Sequence, residues 1–231
     1  MRRELFIGLV GLGFGLIAPL QAGVVNVPGS AIVWAAGNST NAPDLQATAP
    51  PSISFALNSV TSISFSGSDG SVKYADAAAP NGAEGQGGGT NLSGYGGISG
   101  IQFAGRWFFL VGVFMGPGAA TGPAPAALAY TTTSSNSSVF NPLLAQVFFI
   151  GDGQGSAGLQ SFNVPTGATR LFWGFGDGVG LPGTYGDNSG SLNVYYNLNQ
   201  SPAFVDAPEP SSIVLMGLGI AALALLRRRR A

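Results

Sequence analysis

Short apolar runs alternate with stretches of Gly, Asn, Asp, Ser and Pro from Gly23 to Leu198, and no long stretch has a helical period. Runs with alternating polarity, such as Ser62–Phe65 and Ser161–Val164, predict strands with one face in the core and one in water. The continuous apolar runs Phe108–Val111 and Val147–Ile150 predict strands in the middle of the core. The pattern therefore predicts an all-β sandwich or barrel.

The most distinct predicted strands are rich in Val, Ile and aromatic residues: Ser62–Phe65, Trp107–Phe114, Gln146–Ile150, Arg170–Phe175 and Leu192–Tyr196. Two low-complexity stretches, Gly85–Gly100 and Gly116–Asn141, are interpreted as long surface loops. Residues 23–51 form a predicted N-terminal extension in which Ala31–Ala36 is a candidate edge strand. Residues 52–200 form the predicted sandwich domain.

The N-terminus has the three parts of a secretory signal. A basic start, Met1–Glu4, is followed by the uncharged apolar run Leu5–Leu20 and by small residues at Ala22 and Gly23. A membrane anchor is the alternative, but glycines and a proline interrupt the run. We expect a signal peptide over residues 1–22 that is cleaved after Ala22.

The C-terminus contains the tripeptide Pro208, Glu209, Pro210, then the uncharged residues 211–226, and then four arginines: Arg227, Arg228, Arg229 and Arg230. As a helix at about 1.5 Å per residue, residues 211–226 would span roughly 24 Å, which suits a short transmembrane helix with snorkelling arginines. The arginines are expected to stay on the cytoplasmic side, so the preceding domain faces outward.

These three parts, in residues 207–231, resemble the PEP-CTERM sorting signal of Gram-negative bacteria. The resemblance implies an exported protein that is anchored transiently in the inner membrane through its C-terminal helix. It further implies cleavage near the tripeptide by a membrane-embedded exosortase, followed by delivery to the cell surface or the extracellular polysaccharide matrix. A permanent C-terminal anchor is the alternative, because the same span would insert in either case.

The composition restricts the chemistry of the domain. The chain contains no His and no Cys, which excludes a Ser-His-Asp triad, a cysteine nucleophile, and the usual zinc, haem and iron–sulfur ligands. From Gly23 to Asp206, three basic residues face eight acidic ones, a balance of −5. That balance disfavours nucleic acid as a partner, and oxygen ligands remain as the available metal chemistry.

The segment between the last two predicted strands combines many glycines with oxygen-bearing side chains. Asp177, Asp187 and Asn188 would supply side-chain oxygens to Ca²⁺, which takes about 6–8 oxygen ligands. Their spacing differs from that of an EF-hand. The alternative is a turn without an ion, since Asp, Asn and Gly also dominate ordinary turns.

Residues 182–191, Pro-Gly-Thr-Tyr-Gly-Asp-Asn-Ser-Gly-Ser, resemble the calcium- and sugar-binding loop of the PA-I-type galactophilic bacterial lectins, which has Asn where Asp187 stands. The resemblance extends to Gly70–Tyr74, which falls where the lectins have a strand ending in a tyrosine. It implies a jelly-roll-like β-sandwich. It also implies a Ca²⁺ ion held by five residues: Tyr74, Asp177, Thr184, Asp187 and Asn188. Tyr74 and Thr184 would contribute backbone carbonyls, and the other three would contribute side-chain oxygens.

In the lectin family the hydroxyls of the sugar complete the metal shell, so Asp177, Thr184 and Asp187 would also face a carbohydrate ligand. The His and Gln with which the lectins contact their sugar have no clear counterpart. The corresponding loop, Ala75–Gln86, offers Asn81 and Glu84 instead, besides Asp76 and Gln86. Galactose specificity is therefore not carried over.

Together these observations predict an exported, non-enzymatic protein that binds Ca²⁺, with extracellular polysaccharide as its candidate ligand. The first alternative is a structural matrix or surface protein in which calcium only orders a loop. The second is a secreted glycoside-active enzyme that uses Asp177 and Asp187. Two acids ten positions apart in a Gly-rich loop are weak support for paired-carboxylate catalysis.

Overall fold

A computed structural model of the chain describes residues 20–38, 43–44, 46–75 and 79–200. Asp76, the sorting motif, residues 211–226, the four arginines and the predicted signal peptide up to residue 19 lie outside the described residues. The described part consists of strands and three short 3-10 turns without an α-helix, which confirms the all-β prediction. It also has no helix of the length and apolarity needed to cross a membrane.

The strands of the described residues are numbered in chain order. They are β1 (Leu20–Pro28), β2 (Ser52–Ser54), β3 (Val60–Lys73), β4 (Gln86–Leu92), β5 (Ile101–Trp107), β6 (Phe109–Met115), β7 (Leu128–Tyr130), β8 (Val139–Phe140), β9 (Val147–Phe149), β10 (Gln154–Gly155), β11 (Gly158–Leu159), β12 (Ser161–Asn163), β13 (Arg170–Gly176), β14 (Val179–Gly180) and β15 (Ser189–Gln200). The 3-10 turns are Val33–Ala35, Ser134–Asn136 and Tyr185–Asp187.

These strands form three open sheets and a small β10–β11 ribbon. The first sheet has the order β1-β15-β3-β12-β8, the middle sheet β2-β13-β6-β9, and the third sheet β14-β4-β5-β7. Neighbouring strands are antiparallel except for the pairs β12–β8, β14–β4 and β5–β7. No sheet closes on itself in the described part of the chain, so a closed barrel is excluded there.

The core lies on both faces of the middle sheet, whose strand β6 is buried along its whole length. On one face, the ring of Phe148 lies 5.3 Å from Phe162 of the first sheet. On the other face, Phe109 and Phe149 lie 5.3 and 5.1 Å from Phe103 of the third sheet. A strand covered on both faces is apolar without alternation, so the interpretation of the two continuous apolar runs as core strands is confirmed.

The predicted single strand Trp107–Phe114 is wrong, because the chain changes sheets within it. β5 of the third sheet ends at Trp107, and β6 of the middle sheet begins at Phe109. Phe108 between them has a left-handed φ of 51°, which is unfavourable for an aromatic residue. Its buried ring stacks on Phe175 with centroids 4.8 Å apart, and this packing stabilises the turn.

The interpretation of Gly85–Gly100 as a surface loop is also wrong. It contains β4, which pairs with β5 from Gln86↔Trp107 to Leu92↔Ile101. Cross-strand hydrogen bonds use only backbone groups, so even a glycine-rich segment forms a strand when a regular neighbour pairs with it.

The predicted edge strand Ala31–Ala36 is a buried 3-10 turn instead. Ala31 forms only an isolated bridge with Thr48, and the Trp34 indole N–H donates to the Ser99 carbonyl at 2.9 Å. This segment packs on the middle sheet at Gly174, where a Cβ would lie 2.5 Å from the Ala31 carbonyl oxygen. This close approach explains why residue 174 is a glycine. Ala31–Ala36 is apolar because the turn is buried, although it is not a strand.

Candidate functional site

The loop with the predicted metal ligands connects the middle and first sheets. Asp177 directly follows β13, and Asn188 directly precedes β15. In the pairing of β15 with β3, Ser189 lies opposite Lys73, so Tyr74 follows at the same end of the sheet. The fold thereby brings Tyr74, Asp177 and Asn188, which are far apart in sequence, to one end of the domain.

Asp177 and Asn188 form a buried polar pair, with 4% and 8% of their surfaces exposed. Asn188 Nδ2 donates to Asp177 Oδ2 at 3.0 Å and to the Gly29 carbonyl at 3.4 Å. Asn188 Oδ1 is buried and has no hydrogen-bond partner among the described residues. A buried acceptor without a donor is energetically unfavourable, so this atom marks a place where a ligand would add stability.

Burial raises the pKa of Asp177 to about 6. Two neighbouring donors, the Asn188 amide and the Trp107 indole N–H, favour the ionised carboxylate and so lower the pKa of Asp177 in part. The Trp107 N–H is too far from ideal geometry to count as a hydrogen bond, so its effect is the weaker of the two. The Asp187 carboxylate raises the pKa of Asp177 further. The sole ion pair within the described ranges joins Arg106 to Glu84, so an ionised Asp177 has no cationic partner there.

Tyr185 holds the loop against the core, since its side chain is fully buried. Its hydroxyl donates to the Phe175 carbonyl at 2.7 Å, and its backbone N–H donates to Asp44 Oδ2 at 2.6 Å. The preceding residue, Thr184, has a left-handed φ of 65°, a conformation that a non-glycine residue adopts only when its surroundings impose it. The loop is thus held in one conformation by contacts from the core and from residue 44.

The remaining predicted metal residues have different environments. Thr184 and Asp187 are exposed, whereas Tyr74 is half-buried with its ring 6.2 Å from that of Trp107. In the part of the chain that the structure describes, no three acidic side chains gather as metal ligands. A cation here would therefore depend mainly on amide and carbonyl oxygens.

The two predicted sugar-contacting residues make internal contacts. Asn81 Nδ2 donates to the Phe108 carbonyl at 3.1 Å, while its Oδ1 is buried without a partner among the described residues. Glu84 Oε2 pairs with Arg106 at 2.9 Å, and its Oε1 accepts the Asp152 backbone N–H at 3.0 Å. Burial raises the pKa of Glu84. Both oxygens of Glu84 thus have protein partners, which suits a structural contact.

Sequence reasoning missed three contributors to the site: Gly29, Asp44 and Trp107. Asp44 lies in a proline-flanked stretch without strand pattern, and Gly29 follows a strand at the opposite end of the chain. Trp107 has the apolar neighbours of a core residue. No local signal connects these positions with the loop, because only the folding of the chain brings them together.

Comparison with known proteins addresses the C-terminus. Residues 206–230 match the PEP-CTERM protein-sorting motif, which confirms the sorting signal expected for residues 207–231. The chain is therefore an exported surface protein with an all-β domain, held at the membrane before exosortase cleaves it. No curated protein and no solved structure matches the chain.

Proposed function

We propose that this exported protein binds one Ca²⁺ ion at the loop end of its β-domain, and that the ion stabilises the domain at the cell surface or in the extracellular polysaccharide matrix. The observation that carries the proposal is the buried Asp177–Asn188 pair with its unpartnered Asn188 Oδ1. A cation would compensate both the buried carboxylate and the unsatisfied amide oxygen.

The donor atoms suit calcium, which prefers carboxylate, amide and carbonyl oxygens. Asp177 Oδ2 and the Gly29 carbonyl both lie next to the Asn188 amide, at 3.0 and 3.4 Å. We infer that the cation would bind the unpartnered Asn188 Oδ1, while Asn188 Nδ2 keeps its hydrogen bond to Asp177 Oδ2.

The carbonyls of Tyr74 and Thr184 and the carboxylate of Asp187 complete the proposed ligand set. The location of Tyr74 beside the start of β15 supports its inclusion. The electrostatic repulsion between Asp187 and Asp177 also supports a cation here, since a divalent ion near both carboxylates would reverse that repulsion.

Carbohydrate binding is the second candidate function, and the exposure of Thr184 and Asp187 favours it. With these residues in the solvent, one side of the ion would remain open to the hydroxyls of a polysaccharide. Because Glu84 and Asn81 make internal contacts, the sugar would be held mainly through the ion and the exposed loop. This proposal extends the lectin resemblance and the jelly-roll-like sandwich that it implies; the described sheets are open and largely antiparallel, but there are three of them where such a sandwich has two.

We propose a binding role and not an enzymatic one. Asp177 is buried against Asn188, whereas Asp187 is exposed. A general acid and its partner carboxylate must both reach the scissile bond, and the burial of Asp177 argues against such an arrangement. We call the protein without its predicted signal peptide and its C-terminal sorting segment the processed protein. Release of reducing ends from a polysaccharide by the processed protein would contradict this proposal.

The test is calorimetric titration of the processed protein with CaCl₂, alongside Asp177→Asn and the control Asp69→Asn. Asp69 is an exposed acid on β3 with hydrogen bonds from Asn193 and Tyr195, so the control makes the same change on another surface. We expect one ion per chain with a dissociation constant of about 10⁻⁴–10⁻³ M, as in extracellular calcium modules. Asp177→Asn should abolish binding, and the control should not.

A glycan array probed with and without calcium separates the two candidate functions. Glycan signals that appear only with calcium would support carbohydrate binding, whereas calcium binding without glycan signals would support a structural role. An absence of calcium binding by the wild-type protein, or equal binding by Asp177→Asn, would contradict the site itself.

A further inference from the structure

The edge strands of the three sheets differ greatly in length. β2, β7, β8, β9 and β14 have two or three residues each, but β1 has nine. Short edge strands prevent unwanted pairing with other chains, because they offer few free backbone groups. Within the described residues, β1 is the exception among the edges of these sheets.

β1 also lacks the other features that protect an edge strand. Its sequence, LQAGVVNVP, contains no charged residue, and its one proline is the last residue, Pro28. Its pairing with β15 runs from Leu20↔Asn199 to Pro28↔Ser191 without a bulge. Charges, prolines and bulges are the usual means of blocking an edge. The outer side of residues 23–28 is thus a regular row of backbone donors and acceptors with which no described strand pairs.

This edge persists after the predicted cleavage behind Ala22. The residues that remain, 23–28, still form a strand longer than each of the five other edge strands. Cleavage would remove Leu20–Ala22 from β1 and separate residues 23–28 from everything that precedes them in the chain. The exported form would therefore present the edge free of its leader.

We propose that β1 pairs with β1 of a second copy of this protein, antiparallel about a two-fold axis, so that two first sheets join into one ten-stranded sheet. Among the strands described, no other edge is long enough to pair with residues 23–28 along their whole length. Two-fold pairing of identical strands also closes the assembly. Residues 23–28 carry no charged side chain, and the α-ammonium group that cleavage creates at Gly23 would lie at the end of the paired segment, so no like-charged side chains face each other across the axis.

The side chains of β1 fit this arrangement. Val24 is 56% exposed and lies opposite Tyr195, which is 41% exposed. Pairing of two β1 strands would bring these residues of both copies into one apolar area on the outer face. On the inner face, Val27 is buried and Val25 only half-buried, so a neighbouring strand would cover the rest of Val25. Burial of apolar surface would thereby add to the backbone hydrogen bonds.

The first test uses the absence of cysteine from the chain, which makes a single introduced thiol an unambiguous probe. Val24→Cys and Asn26→Cys place it on the exposed face of β1, and Leu57→Cys places it at an equally exposed position in a turn. After treatment of the processed protein with a short bismaleimide, we expect covalent dimers with one or both β1 variants. The control should remain monomeric.

The second test is sedimentation analysis of the processed wild-type protein, Val24→Lys and Leu57→Lys over a range of concentrations. The two lysine variants add the same charge at positions of nearly equal exposure, 56% and 57%. Two lysines across the axis should raise the dimer dissociation constant about fivefold to tenfold, and Leu57→Lys should leave it unchanged.

Several results would overturn the proposal: a wild-type protein that is monomeric at all concentrations, equal cross-linking of Leu57→Cys, or an unchanged dimer in Val24→Lys. A monomer would mean that another part of the chain covers β1. Circular dichroism verifies the fold of each variant, and the cysteine variants keep the test valid if the lysine variant unfolds. Both tests are run without calcium, so their outcome is independent of the proposed ion site.

Discussion

Replacement of Asp177 by Asn should stabilise the calcium-free protein at neutral pH while abolishing its response to calcium. The carboxyl is almost fully buried and its pKa is raised from 3.8 to about 6. Folding at pH 7.5 therefore requires burial of an ionised group that prefers water. At about 1.4 kcal/mol per pKa unit, this cost amounts to about 3 kcal/mol. The neutral amide of the variant would avoid this cost, and its oxygen could still accept the Asn188 hydrogen bond.

The direction of the pH dependence follows from the raised pKa. A carboxyl whose folded-state pKa exceeds its unfolded value contributes stability below the unfolded value, near pH 4, and loses it as the pH rises through about 6. The free energy of unfolding of the calcium-free wild type should therefore fall by up to about 3 kcal/mol between pH 4 and pH 7.5, relative to Asp177→Asn. The two proteins should be most similar at the acidic end of this range.

Calcium should restore the lost stability to the wild type alone. An ion that binds only the folded state adds about 2.7 kcal/mol at a concentration one hundred times its dissociation constant. This gain is similar to the cost of burying the carboxylate. Wild type with calcium and Asp177→Asn without it should therefore have similar free energies of unfolding at pH 7.5.

The assay is urea denaturation of the processed protein at pH 4, 6 and 7.5, with CaCl₂ or with EGTA, followed by tryptophan fluorescence. Trp34 and Trp173 are buried, so unfolding should change their emission. Asp69→Asn is the matched control, since hydrogen bonds from Tyr195 and Asn193 lower the pKa of that exposed carboxyl and give the opposite pH trend. A calcium-free Asp177→Asn protein that is less stable than wild type at pH 7.5 would refute the reasoning, as would calcium stabilisation of that variant.

Three further changes test other parts of the structure. Gly174→Ala would place a Cβ 2.5 Å from a backbone oxygen and should lower the free energy of unfolding, measured by urea denaturation, by about 1–3 kcal/mol. Gly87→Ala is the control: a Cβ there has nothing within 4 Å, so the same assay should show a change of less than about 1 kcal/mol. Arg106→Met leaves the half-buried Glu84 without its ion-pair partner and should lower the free energy of unfolding by about 1–2 kcal/mol. The double variant Arg106→Met with Glu84→Gln should recover most of this loss, because the uncompensated charge is removed. If it does not, the assigned contact is contradicted. Glu209→Ala alters the matched sorting motif and should leave the C-terminal segment attached, detectable as a larger mass of the protein in the membrane fraction.

Local sequence was sufficient for the class of fold and for the destination of the protein. Apolar runs such as Val147–Ile150 indicate core strands wherever they lie, because a strand covered on both faces must be apolar throughout. The sorting motif is equally local, since it is a short ordered series of residue types in 206–230. The absence of His and Cys confines any metal site to oxygen ligands whatever the fold.

Contacts between distant segments account for everything that local pattern could not provide. The glycine-rich β4 is a strand because β5 lies beside it, and the chain changes sheets at Phe108 because Phe175 packs against its ring. The loop sequence supplied Asp177 and Asn188 as oxygen donors, but their burial, the raised pKa and the unpartnered amide oxygen arise only when β13, β15 and Gly29 meet. Burial and strand pairing depend on which segments contact each other in the folded protein. A single segment of the sequence does not show which distant segments it will contact, so these features could not be predicted from local pattern.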